Sequence, residues 1–351
     1  MGKHESEKKK TSALKIIGMI FLVILIIIVI LAGVGVGFVY TKLGKMNVEE
    51  IDETAIGLNQ ETQERLSGYR NIAIFGIDSR KDDYGIGNRS DCIMIASLNQ
   101  ETNDIKLISV YRDTYMQVES KGKQILDKVT HAYSYGGAQN AVKALNTNLD
   151  LNITEYVTVN FDAVIAAVDA MGGITIEIEK EEIEHINDYI DAMAKSSGVK
   201  TNHVTKTGKQ TLDGVQSVAY SRVRYTAGGD HKRTERMRTV IEAMLTKAKT
   251  LSLGKLNNLV DTILPKVSTN ITGTEILALA PSIATFNITE SAGWPYETRG
   301  TQTGTYYGVP VTLESNVVKL HQEVFEQPDY VISETVKEIS DKIINKTGYK
   351  N

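Results

Sequence analysis

Hydrophobic positions along the chain fall into two kinds of pattern. Residues 16–40 form one continuous apolar run without a charged side chain. From position 69 onward, short apolar blocks alternate with amphipathic stretches. The blocks at 71–77 (NIAIFGI), 92–98 (CIMIASL) and 105–110 (IKLISV) read as buried strands, the last two joined by a turn-like NQETND. Unbroken apolar runs of this length fit strands covered on both faces. The pattern next predicts a helix over 138–149, a strand at 156–160 and a helix over 163–171. Gly172 and Gly173 stop that helix before a strand at 174–178. Ile183, Ile186, Ile190 and Met193 recur at helical spacing over 183–194, and the polar stretch 195–209 reads as a surface loop. Helices are expected again over 234–249, 256–264, 275–284 and 316–325, with an edge strand near 293–299. Alternating strands and helices predict an α/β fold, a sheet covered by helices.

The run 16–40 exceeds the roughly 20 apolar residues that cross a bilayer. Lys3, Lys8, Lys9, Lys10 and Lys15 precede it; only Lys42 and Lys45 follow closely, before Glu49, Glu50, Asp52 and Glu53. That asymmetry predicts a single-pass membrane anchor with a cytoplasmic N-terminus and an extracellular remainder. A cleaved signal peptide is the rival reading, but its apolar region is usually about 7–15 residues long. The expected organisation is a cytoplasmic tail (1–15), a transmembrane helix (16–40), a stalk (41–67), one extracytoplasmic domain (68–330) and a C-terminal tail (331–351).

Charge and cysteine content narrow the chemistry. A net charge of −4 gives no basic footprint, so no nucleic acid partner is expected. A single cysteine, Cys92, excludes an internal disulfide. It follows Asp91 in a strand pattern, which predicts a core thiol pointing to the face opposite that carboxylate. No GxxxxGK[ST] loop, GxSxG elbow or HExxH pair occurs. His131 reads as a structural hydrogen-bonder, and His231 draws interest only through its neighbours Asp230 and Arg233.

Arginine placement carries more information. No arginine lies between Asp113 and Ser221. Arg80, Arg89 and Arg112 form an early block; Arg222, Arg224, Arg233, Arg236 and Arg238 form a late one. A planar guanidinium suits phosphate oxygens held in fixed geometry, whereas solubility alone would accept lysine. Singly, each arginine could equally be a surface charge or a partner for Asp78, Asp91, Asp113 or Asp230. Together they sit beside strand ends and glycine-rich turns, where ligands of open α/β sheets gather. Asp78 and Asp91 lie at neighbouring strand ends and would suit Mg²⁺, which takes one or two carboxylates plus phosphate oxygens and water. Capping of turns is the plainer reading of the same two residues.

The motifs NIAIFGIDSR (71–80), RSD (89–91), SVYRDT (109–114), KVTHAYSYGG (128–137), VDAMGGI (168–174), LDG (212–214) and AYSRVR (219–224) occur in one order. Gly229-Asp230 with Arg233 and Arg236 completes the series. This series resembles the LytR–CpsA–Psr family over roughly 70–245. The resemblance implies a central mixed β-sheet flanked by helices, behind one N-terminal transmembrane helix. It also implies a Mg²⁺- (or Mn²⁺-) assisted transferase at the outer face of the membrane in Gram-positive bacteria. Such an enzyme moves a glycopolymer from a polyprenyl-pyrophosphate carrier to peptidoglycan through a phosphodiester. Carried over by residue, Asp78 and Asp91 are metal ligands. Arg80, Arg89, Arg112, Arg222, Arg224, Arg233 and Arg236 are pyrophosphate contacts, and Asp230 or Asp91 is the base. The chain departs from the family where Tyr111 replaces a frequent Pro, Cys92 a frequent Thr and Met237 a frequent Gln. A pyrophosphatase and a non-enzymatic scaffold binding pyrophosphate lipids would use the same residues.

Overall fold

The computed structural model describes residues 47–79, 83–272, 287–301 and 304–350. The expected anchor at 16–40, Arg80 and the helix expected over 275–284 fall outside those residues. No described helix is long and apolar enough to cross a membrane.

The central sheet has seven strands in the order β1-β10-β7-β2-β3-β4-β11. They are β1 (Asn47–Val48), β2 (Tyr69–Ile77), β3 (Ser90–Asn99), β4 (Asp104–Val110), β7 (Glu155–Asn160), β10 (Val267–Thr269) and β11 (Asn287–Trp294). β2 runs parallel to β7, and β11 parallel to β4, while β3 is antiparallel to both β2 and β4. The sheet is therefore mixed, and the carboxyl ends of β7, β2, β4 and β11 share one edge. β3 starts at that edge. Three smaller hairpins pair β5 (Tyr115–Ser120) with β6 (Lys123–Lys128), β8 (Ile174–Ile178) with β9 (Gly208–Leu212), and β12 (Thr298–Gly300) with β13 (Gly308–Pro310).

Strand periodicity sorts the core into two layers. Ile72, Ile74, Met94, Ala96, Leu107, Val157 and Val159 face one way, with α3 (Phe161–Ala170), α4 (Glu182–Ser197), α5 (Gly214–Arg222), α6 (Gly229–Ala248) and α7 (Leu253–Ile263). Ala73, Phe75, Ile77, Ile93, Ile95, Ile108 and Val110 face the other way, with α2 (Val129–Leu149), α8 (Leu313–Val324) and α9 (Glu334–Thr347). Successive strand residues point to opposite faces, so the central strands look apolar throughout.

Several boundaries differ from expectation for physical reasons. α2 begins at Val129, not at 138, because two helical pieces meet across Gly136 and Gly137, the latter at a φ of 67°. A residue with a side chain would be strained there. The polar stretch 195–209 runs into β9 rather than ending as loop. Within 331–351, read as a tail, α9 buries Val336, Ile339 and Ile343. Within 41–67, read as a stalk, α1 (Gln60–Arg65) and the buried Ile56 and Leu66 pack on the second layer.

Candidate active site at the carboxyl edge of the sheet

Four elements deliver charged groups to the shared edge. Asp78 is exposed, one residue beyond β2. Asp91 stands at the start of β3, at a bulge where Gly76 pairs with Cys92 but Ile77 pairs with Ser90. Arg112 and Asp113 follow β4, and Asp230 and Arg233 occupy the first turn of α6 and the residues just after it.

Arg112 is the hub. Its Nη1 donates to Asp91 Oδ1 at 2.8 Å, while its Nε lies 3.5 Å from Asp230 and 3.7 Å from Asp113 without a hydrogen bond. Burial opposes its charge, but Asp91, Asp230 and Asp113 outweigh it and hold the guanidinium above its usual pKa. Asp113 in turn accepts an ion pair from Lys128 Nζ at 2.7 Å. Arg233 is 2% exposed, with Nη2 3.0 Å from Asp230 Oδ1. Neither that nitrogen nor its Nε makes a hydrogen bond, and burial pushes its pKa down against the pull of Asp230. Buried donors left unspent are rare in native proteins and mark a place prepared for an acceptor. An anion is the acceptor that a buried cation favours.

The other arginines separate by role. Arg222 lies 5.0 Å above the Phe161 ring and 5.2 Å from the Tyr189 ring. Arg224 is half-buried and close enough to Arg233 to oppose its charge. Arg89 is exposed beside the Tyr135 side of the edge. Arg236, expected as a pyrophosphate contact, has its donors on Glu182 (2.6 Å), the Val223 carbonyl (3.2 Å) and Thr226 (2.8 Å). It ties α6 to α4 and to the turn carrying Arg224, and so positions the site from behind.

An apolar cavity of about 60 Å³ opens beside Asp91. Sheet residues Ile74 and Val159, helix residues Phe161 and Val164 of α3, and Met237, Val240 and Met244 of α6 line it. Cys92 lines it too and packs with Met94 and Ala96 in the first layer, a core thiol as expected. Burial pushes its thiol up to about 12, so it stays protonated and inert.

Sequence reasoning missed Lys128 and α5. Lys128 sat inside the KVTHAYSYGG motif, but attention to arginine passed over it. α5 is buried nearly all round and gives no amphipathic signal; its readable sign was the capping box of Asp213 and Gln216. His131 pairs with Asp127 at 2.9 Å, a structural contact, and His231 stacks on Tyr111 at 4.0 Å.

Among the described residues no cluster of three or more His, Cys, Asp or Glu side chains is arranged around a metal ion. Mg²⁺ does not need one, since phosphate oxygens and water complete its shell. Asp91 offers its second oxygen, which accepts nothing from the described residues, and Asp78 is exposed one residue beyond the Ile77–Ser90 pair. These hard oxygen donors fit one side of a Mg²⁺ site.

Guanidinium donors lie beside an apolar cavity at this edge, a charged mouth above a hydrophobic pocket. The chain belongs to the LytR_cpsA_psr family, whose model matches residues 37–323. It is similar to the polyisoprenyl-teichoic acid–peptidoglycan teichoic acid transferase TagU of Enterococcus faecalis, 32% identical over 263 residues, 73% of this chain and 78% of that protein. In fold it resembles protein gbs0355 from Streptococcus agalactiae, with a TM-score of 0.63 at 23% identity, covering 79% of this chain and 94% of that one. It also resembles the LytR-CPS2A-psr family protein YwtF (TagT) with bound octaprenyl pyrophosphate lipid. There the TM-score is 0.51 at 21% identity, covering 87% and 97% of the two chains.

Proposed function

We propose that this enzyme transfers a glycopolymer from a polyprenyl-pyrophosphate carrier to a peptidoglycan hydroxyl, forming a phosphodiester. The single observation that carries the reading is the adjacency of Arg112 and Arg233, with donors unspent, to an apolar cavity edged by Asp91. The relatives' names supply the polymer class, teichoic acid, and the acceptor.

The lipid's first unit enters the cavity, which has room for about four water-sized groups, close to one isoprene unit. Met237 and Met244 form adaptable walls that shift to admit more. Arg112, Arg222, Arg224 and Arg233 hold the two phosphates at the mouth. The acceptor oxygen attacks the sugar-side phosphorus, and the bond to the bridging oxygen breaks. Polyprenyl phosphate leaves with that bond's electron pair. Asp230, fixed between Arg112 and Arg233, takes the hydroxyl proton; Asp91 is held on Arg112 and faces the metal side. Mg²⁺ held by Asp78 and Asp91 would neutralise phosphate charge. Positioning and charge stabilisation are the main contributions a protein makes to such a transfer. The acceptor arrives from the side opposite the lipid, bordered by Tyr306, which stands near Asp113 and Asp230. The 16–40 segment would anchor the domain outside the cell, where the carrier presents its headgroup.

The test is turnover of the full chain in detergent with Mg²⁺, a polyprenyl-pyrophosphate-linked teichoic acid and peptidoglycan oligomers. Polymer joined to peptidoglycan together with released polyprenyl phosphate is expected. Phosphorylated polymer released without any conjugate would make the enzyme a hydrolase and overturn the proposal.

A further inference from the structure

Asn160 is the last residue of β7 and the N-cap of α3, and it is 1% exposed. Its Oδ1 accepts from the Ala163 amide at 2.8 Å, which fixes which end of the side-chain amide is which. The other end, Nδ2, has no hydrogen-bond partner among the described residues. Asn160 lines the apolar cavity with Asp91 and Phe161, whereas neither Arg112 nor Arg233 does. Its ladder partner is Ile77, the residue before Asp78. Beside it, the first turn of α3 presents the positive end of the helix dipole to the same cavity.

A buried amide donor with no partner calls for a reason, and a helix N-terminus next to it supplies a direction: both favour an anionic acceptor. Because Asn160 is on the cavity wall, which neither Arg112 nor Arg233 lines, that acceptor belongs to the part of the ligand nearest the lipid. We propose that Asn160 Nδ2 and the α3 N-terminus form a subsite for an oxygen of the lipid-side phosphate, the group that departs as polyprenyl phosphate. The inference rests on the function proposed above and adds a leaving-group contact to it. The charge of that phosphate grows as the bridging bond breaks, so a donor held here by its own N-cap bond strengthens as the reaction proceeds. Arg222, seated on Phe161 at the first position of α3, stands over the same turn and completes the charge balance.

Two substitutions separate the donor from the cap. Asn160→Ser keeps a capping oxygen and removes the side-chain NH2; the hydroxyl left is the capping group itself and stops short of the Nδ2 position. Asn160→Asp keeps the capping oxygen and replaces the donor with an acceptor. Binding of octaprenyl pyrophosphate and of octaprenol, its uncharged counterpart, is measured on the full chain in detergent, with melting temperature as the control for folding. For Asn160→Ser the expectation is about tenfold weaker binding of the pyrophosphate, a larger loss for Asn160→Asp, and unchanged binding of the alcohol by both. Wild-type affinity for the pyrophosphate in a folded Asn160→Ser protein overturns the subsite while leaving the function intact. Equal losses for pyrophosphate and alcohol overturn it as well, by making Asn160 a wall residue only. If the wild-type protein binds neither lipid, the proposed function itself fails.

Discussion

On one face of the sheet, Phe75, Tyr133, Tyr156 and Trp294 fill the space beneath α2, α8 and α9. On the other, Val159, Val164, Val218, Val240 and the methionines Met237 and Met244 line the cavity. Both layers are built on alternate residues of the same strands, so the sheet itself does not distinguish them. The helices do. Large aromatic rings interlock in the packed layer, whereas aliphatic side chains and two flexible methionines border the cavity on the other. The site edge therefore has a stiff backing on one side and an adaptable pocket on the other.

The largest effects should divide cleanly between the faces. Trp294→Ala removes the largest fully buried side chain and should cost about 3–5 kcal/mol of stability. Per folded molecule, transfer activity should remain. Arg112→Ala should do the reverse: little change in melting temperature, and turnover lower by about 10²–10³-fold. Denaturant melts and initial rates on both variants check the pair, and an Arg112 variant that unfolds while the Trp294 variant loses turnover would break the division.

Filling each face tests the same contrast at intermediate size. Val240→Phe places bulk into the cavity and should leave stability within about 1 kcal/mol of wild type while lowering octaprenyl pyrophosphate affinity. Ala73→Leu adds bulk to the packed layer, where Ala73 is 0% exposed, and should cost about 1–3 kcal/mol. Calorimetry and a lipid-binding titration read both.

The smallest effect concerns pH. His321 is buried in the packed layer, its Nε2 donates to the Leu149 carbonyl at 2.9 Å, and its ring stacks on Tyr330 at 3.8 Å. Burial pushes its pKa below the usual histidine value, with bonds to Leu149 and Gln327 opposing. The folded protein keeps the ring neutral while the unfolded chain protonates near pH 6.5. Stability present above that pH should therefore decline as pH falls below it, by a few degrees of melting temperature. His321→Gln should flatten the profile between pH 7 and 5; an unchanged slope would remove His321 from the account.

How much of this was legible follows from which interactions are local. The central strands at 71–77, 92–98 and 105–110 announce themselves because both faces are buried. Strand 174–178 keeps the bounds read from its alternation. The β5–β6 hairpin stayed hidden because its strands pair only with each other, with Lys123, Gln124 and Ile125 exposed. For the site, residue types were legible and their allegiances were not. Arg233 and Arg236 are one helical turn apart, yet one faces Asp230 in the site and the other spends its donors on Glu182, Val223 and Thr226. Nothing near Arg236 in the sequence foretells a partner on another helix. The bulge at Asp91 was equally silent, since one extra residue leaves the apolar pattern of β3 intact.

Tyr111 meets two neighbours at once. It stacks on His231 at the start of α6, and its hydroxyl lies where a Cβ on Gly293 would come within 2.1 Å. The edge strand and the residue before Arg112 are thus tied in composition as well as in space. The tyrosine demands glycine opposite it: any side chain at 293 would push the ring off His231 and strain the strand pairing that the Tyr111 amide makes with the Trp294 carbonyl at 2.9 Å.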